Sequence, residues 1–326
     1  MGNSVRVFAT ALLSAGLLSG CGSGDSPEKT FEYAQKGAYS AEISPTGTFT
    51  VLGSFNHGGS LWNNLQQERL YNWNHANGEY TLIAATAFAP DESYAATANQ
   101  QDLVLWSLQD GRPAGFWRSP AEILGMDLSP NGDYALLGLA DHTAVYFDIK
   151  NGGVKRTLGH QARVKAVDLS EDGKFALTGS DAWKTKFWNV ETSELLHTLE
   201  LGNVVDTVAL APNNEKAFSS ASLDDAIIWN TQTGKIIHTL TDNRDLFARR
   251  VTYTAAEFSA DSQRLLTGTN SGSVQLWNVA TGEQLREWAI EKRDAYGPNS
   301  TAVYAVGFGQ GKYFAVGSNG IFNTLK

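Results

Sequence analysis

The chain of 326 residues has a single cysteine, Cys21, so no internal disulfide can brace it and packing alone must hold the fold. Basic residues are scarce. Lys and Arg number 25 against 34 Asp and Glu, a formal charge of −9. A surface of that sign repels phosphate backbones, which argues against a nucleic-acid partner. No HExxH, GxSxG or Walker sequence is present, so the commonest catalytic and nucleotide-binding frames are missing. Gly307, Gly309 and Gly311 precede no helical pattern and make no phosphate cradle. No DxDxDG loop offers calcium a site. The apolar run over residues 7–18 is too short for the roughly 20 residues of a membrane span.

That run has the form of an export signal. Arg6 gives it a basic start, and small residues follow it. It ends in Leu18-Ser19-Gly20-Cys21, which resembles the lipobox of bacterial lipoproteins. The resemblance implies cleavage of residues 1–20 and thioether linkage of diacylglycerol to Cys21, with further acylation such as palmitate. It also implies an exported protein held on a bacterial membrane. Gly22 stands where an inner-membrane retention Asp would stand, which favours the outer membrane. Residues 21–30 are expected as lipidated Cys and flexible tether, and removing Arg6 leaves the mature chain at −10.

The rest of the chain is periodic. An aromatic residue followed by a short polar one recurs as Trp62-Asn63, Trp106-Ser107, Phe147-Asp148, Trp188-Asn189, Trp229-Asn230, Trp277-Asn278 and Phe322-Asn323. The intervals are 44, 41, 41, 41, 48 and 45 residues. A period near 40 with this rung predicts an all-β, seven-bladed β-propeller over residues 31–326, one four-stranded blade per repeat. Before each rung lies a hairpin pattern of alternating residues around a turn such as Pro130-Asn131-Gly132-Asp133. The last repeat lacks a fourth strand, and residues 30–34 are expected to supply it, closing the ring with both chain ends. Loops between blades and the turns joining strands b and c then share a top face. Insertions at junctions 1/2, 5/6 and 6/7 raise one sector of it.

The repeat over residues 158–199 resembles the WD-repeat family, carrying its Gly159-His160 dipeptide. The resemblance implies a buried hydrogen-bonded tetrad of His160, Thr178 or Ser180, Asp181 and Trp188. No rung reads Trp-Asp, and Phe147 and Phe322 lack an indole donor, so apolar stacking is expected to dominate. His197 and His238, 41 residues apart, read as repeated structural positions. His57, His75 and His142 could face one another across the top, though a ring seldom gives metal its short, convergent geometry. Exposed aromatics and arginines favour binding hot spots. Candidate partner contacts are therefore Trp183 in a b–c turn, Phe247, Arg249 and Arg250 in junction 5/6, and Tyr296 in 6/7.

These features point to a monomeric, non-catalytic, lipid-anchored scaffold that binds an envelope protein through its top-face loops, with no cofactor or metal. The alternatives are a propeller hydrolase or lyase with a central-channel site, signalled by carboxylates and His at its mouth, and a small-ligand or polysaccharide sensor, signalled by channel aromatics.

Overall fold

The computed structural model describes residues 24–240, 251–293 and 301–326. They form seven four-stranded antiparallel sheets, and the 3-10 turn Pro130–Gly132 is the only helical element among the described residues. The fold is a seven-bladed β-propeller, as the repeat predicts.

Blade 4 shows how the sequence builds each sheet. Strands a (Val164–Leu169), b (Phe175–Ser180), c (Lys184–Asn189) and d (Glu194–Glu200) pair in chain order. The a–b turn is closed by Ser170, whose hydroxyl oxygen accepts the Phe175 N–H at 2.9 Å. Ser44, Ser129 and Ser259 make the same bond to Phe49, Tyr134 and Arg264. At the c–d turn, Asn189 Oδ1 accepts the N–H groups of Glu191 and Thr192. Asn63, Asn230 and Asn278 do likewise. Such an Asx turn needs only a side-chain oxygen two or three residues upstream, which Asn supplies as well as Asp. The aromatic half of the rung is buried, and apolar clusters fill each seam between neighbouring blades.

The seventh rung differs from expectation. Leu325 pairs through Tyr313 to Phe308 as Trp188 pairs through Ala176 to Leu169, so Leu325 holds the rung position. Phe322, three residues earlier, faces the opposite side of a period-two strand. It joins the seam with blade 1.

Closure occurs there. Blade 7 consists of Val303–Phe308, Tyr313–Gly317, Ile321–Leu325 and, as its outer strand, Lys29–Glu32. The closing strand ends before residue 33 because Tyr33 leaves the sheet to fill the seam. Its ring stacks between Trp62 at 4.3 Å and Phe322 at 5.1 Å, and its hydroxyl donates to Asn64 Oδ1 at 2.9 Å. Upstream, Asp25 lies against the outer strand of blade 6, Gln284–Ala289. Its N–H donates to the Glu287 carbonyl, its carbonyl accepts from Ala289 N–H, and its carboxylate pairs with Arg286 at 2.8 Å. The chain is thus fixed to the propeller from residue 25, inside the segment expected as a tether.

In six blades the a–b register shifts between the first and third residues of strand a. A bulge of this kind re-aims a side chain. The bulged residues Tyr39, Leu124, Lys165, Asp206, Thr254 and Tyr304 all line a central channel of about 370 Å³. Strand a runs from top to bottom, so they ring the top mouth.

Candidate binding face and central channel

The blade 4 network forms around one hydroxyl. Thr178 Oγ1 accepts the Trp188 indole N–H at 2.9 Å and lies 2.9 Å from His160 Nε2. The same hydroxyl donates to the Lys186 carbonyl at 3.2 Å, so the imidazole must donate from Nε2 and leave Nδ1 bare. Burial, with Lys186 nearby, pushes the His160 pKa down to about 3 and keeps the ring neutral. Ser180 bonds instead to the Lys184 carbonyl at 3.3 Å. Asp181 is not on the imidazole; it pairs with Arg163 at 2.7 Å and lies 3.9 Å from Lys165. The structure therefore brings three of the sequence-proposed residues together, and the carboxylate is drawn to the neighbouring cations.

Blade 2 carries the same trio without the Gly-His signal. Thr97 Oγ1 lies 2.9 Å from His75 Nε2 and accepts the Trp106 N–H at 2.8 Å. His75, considered above for the top face, is part of this seam. His57 Nε2 lies 3.4 Å from the Tyr33 carbonyl. Among the described residues no group of three or more His, Cys, Asp or Glu could hold a metal ion. His197 and His238 sit beneath the c–d turns of the next blade, where Gly234 and Gly282 leave room for the rings. His238 Nε2 also lies 2.9 Å from the Ala280 carbonyl there.

On the top face, Trp183 stands out. It occupies the b–c turn position with φ +65°, where blades 6 and 7 place Gly272 and Gly320 at +85° and +76°. A bulky residue in the left-handed region is strained by roughly 1–2 kcal/mol. Its side chain is 48% exposed, so burial returns little of that cost. Leu223, in the neighbouring blade's b–c turn, is exposed too. Phe247, Arg249, Arg250 and Tyr296 lie outside the described residues, as does Cys21.

The channel holds what the sequence reading overlooked. The penultimate residues of the seven a strands are Glu42, Ala87, Asp127, Asp168, Ala209, Glu257 and Gly307, four acids and three small residues at one level. The signal was available: Glu42, Asp127, Asp168 and Glu257 each stand two residues before the turn serine. Asp127 accepts the Leu169 N–H of the next blade at 2.7 Å, and Asp168 accepts that of Leu210. These two carboxyls are also hydrogen-bonded to one another, so they share a proton. Desolvation, then the Asp127 charge, holds Asp168 well above the usual carboxylate range. Glu42 is held well above it by desolvation and then by Asp127 and Glu257. Glu257 is exposed to the channel yet walled by protein, and desolvation followed by Asp127 and Glu171 pushes it up to about 8. Asp127 and Asp168 thus staple blades 3, 4 and 5, while Glu42 and Glu257 carry no such bond to backbone. Among the described residues, those lining the channel include no histidine.

Residues 152–189 and 234–278 match the family model described as WD domain, G-beta repeat. Comparison with curated proteins gives no match. Among solved structures, the chain is similar to the β-propeller domain of Cps50 (Swd1) from Myceliophteria thermophila, with a TM-score of 0.73. That likeness covers 91% of this chain and 98% of the other at 17% identity, and it concerns the fold.

Proposed function

We propose that the protein is a non-catalytic WD-repeat scaffold, anchored through lipid on Cys21 in a bacterial envelope, whose top face binds a protein partner. The observation that carries this reading is Trp183, a large indole held half exposed in a turn that favours glycine. Strained, exposed residues concentrate at functional surfaces, and Trp is a frequent hot spot of binding. The anchor fits the chain path. Four peptide steps separate Cys21 from Asp25, a reach of about 14 Å. Lipid on Cys21 would hold the rim of blades 6 and 7 close to the bilayer, leaving the b–c turn of blade 4, which carries Trp183, away from it across the ring.

Crosslinking the intact lipoprotein in its own membrane, followed by mass spectrometry, should recover a reproducible protein neighbour. Trp183→Gly should lower that capture about tenfold or more, while the melting temperature holds or rises by a few degrees. A large fall in melting temperature would assign Trp183 to the fold instead. Cys21→Ser should release the protein from the membrane fraction; retention would remove the lipid anchor from the proposal.

A further inference from the structure

The partner face has a second aromatic feature, on the opposite side of the ring from Trp183. Tyr39, the bulged residue of blade 1, is 44% exposed, and Phe55 in the b–c turn of the same blade is 55% exposed. Their rings meet edge to face at 5.6 Å. Tyr304, the bulged residue of blade 7, lines the same mouth, close enough that Tyr39 raises its phenol pKa further after desolvation. Three aromatic side chains therefore border one side of the opening. The facing side is polar and internally matched: Lys165 pairs with Asp206 and lies near Asp181, which Arg163 also engages.

Below this mouth the charge is one-sided. Tyr39 and Glu42 are three residues apart on one strand, about 10 Å along the channel. A narrow passage with low-dielectric walls focuses the field of its acids toward the opening. An aromatic border above a cluster of acids is complementary to a cation carried on an apolar stem, because ring faces attract cations, the stem lies against apolar surface and the acids can ionise beside it.

We propose that the mouth between blades 7 and 1 docks a basic segment of the partner protein, its Lys or Arg side chain lying across Tyr39 and Tyr304 with the charge turned toward Glu42 and Glu257. This rests on the reading of the top face as a partner surface and adds the chemistry of the docked segment. A cation there favours ionised carboxyls, so docking releases protons. Among the described residues, the titratable groups lining the channel are Glu42, Asp127, Asp168, Glu171 and Glu257, with Tyr39, Lys165, Asp206 and Tyr304 at the mouth. Of these, Glu257, pushed up to about 8, and Glu42, held well above the usual carboxylate range, make affinity rise with pH.

The probe is a fluorescent nine-residue Gly-Ser peptide with one central Arg, titrated against the full-length protein by polarisation, beside its Glu counterpart. The Arg peptide should bind at least tenfold more tightly than the Glu peptide, and more tightly at about pH 8.5 than at pH 6. Tyr39→Ala should weaken it about fivefold. Glu42→Gln with Glu257→Gln should weaken it further and reduce the pH dependence. Equal affinity for the two peptides, or binding of neither, overturns the inference. If crosslinking recovers a partner in that case, only the basic-segment docking falls; if it recovers none, the top-face reading falls with it.

Discussion

Which hydroxyl meets which indole is decided residue by residue. Trp106, Trp188, Trp229 and Trp277 each donate to a Ser or Thr on strand b, nine or ten residues upstream. Where the rung has no N–H the hydroxyl is gone too, since Leu137 stands ten residues before Phe147 and Ala315 ten before Leu325. Trp62 keeps its N–H although Leu52 stands ten residues before it, and donates instead to Ser60 on its own strand at 2.9 Å, so none of these rung indoles is left unpaired, as expected when an unpaired buried polar group costs about 1–3 kcal/mol. Thr178→Val keeps the shape and strands two donors, the Trp188 and His160 N–H groups. It should destabilise the protein by about 2–4 kcal/mol, whereas Ser180→Ala should cost under about 1 kcal/mol. Calorimetric melting of the two variants decides this, and similar losses would show that the hydroxyl of Thr178 is not the hub.

At the level of strands, the a–b hairpin sets both the walls of the channel and its response to pH. Glu42, Asp168 and Glu257 have folded pKa values well above the ordinary carboxylate value of about 4.5 or below. Between that value and about 8, the folded protein binds more protons than the unfolded chain. Stability must then fall as pH rises through this window. His160 acts in the opposite sense at lower pH. Its folded value near 3 lies below 6.5, so its share of stability is lost as pH falls through that range. Thermal melts between pH 4.5 and 9 should therefore show a declining melting temperature, and Glu42→Gln with Glu257→Gln should flatten the decline. A wild-type profile that rises over this window would mean the channel acids are ionised and well solvated. The repeat made these strands legible, because alternation marks every hairpin and a turn serine marks four of the seven. The acids were not read as a set, since they stand about 41 to 89 residues apart and meet only when the ring closes. His75 was missed for a related reason: its junction lacks Gly-His, and only the Thr97–Trp106 spacing reveals the site.

For the molecule as a whole, closure is the step that turns seven sheets into one body. The chain ends supply it in two layers. Lys29–Glu32 completes blade 7, and Asp25 reaches on to the outer strand of blade 6, so this segment ties two blades together. Ion pairs of Glu28 with Lys312 and of Glu32 with Arg293 add to this, though exposed pairs of that kind are worth under about 1 kcal/mol each. The stronger element is Tyr33. It is nearly fully buried, stacked on both sides and hydrogen-bonded, and it spans the seam where the two ends of the chain meet. Because both ends are needed, loss of this side chain should loosen the seam before it melts the blades. Tyr33→Ala should cost about 3–5 kcal/mol, as for other large core aromatics. Hydrogen exchange should quicken first in Lys29–Glu32 and in Ile321–Leu325, with blades 3 and 4 protected until global unfolding. Uniform loss of protection across all seven blades would mean that the ring opens only when the whole chain unfolds, and that Tyr33 stabilises the propeller as a unit without acting as its latch.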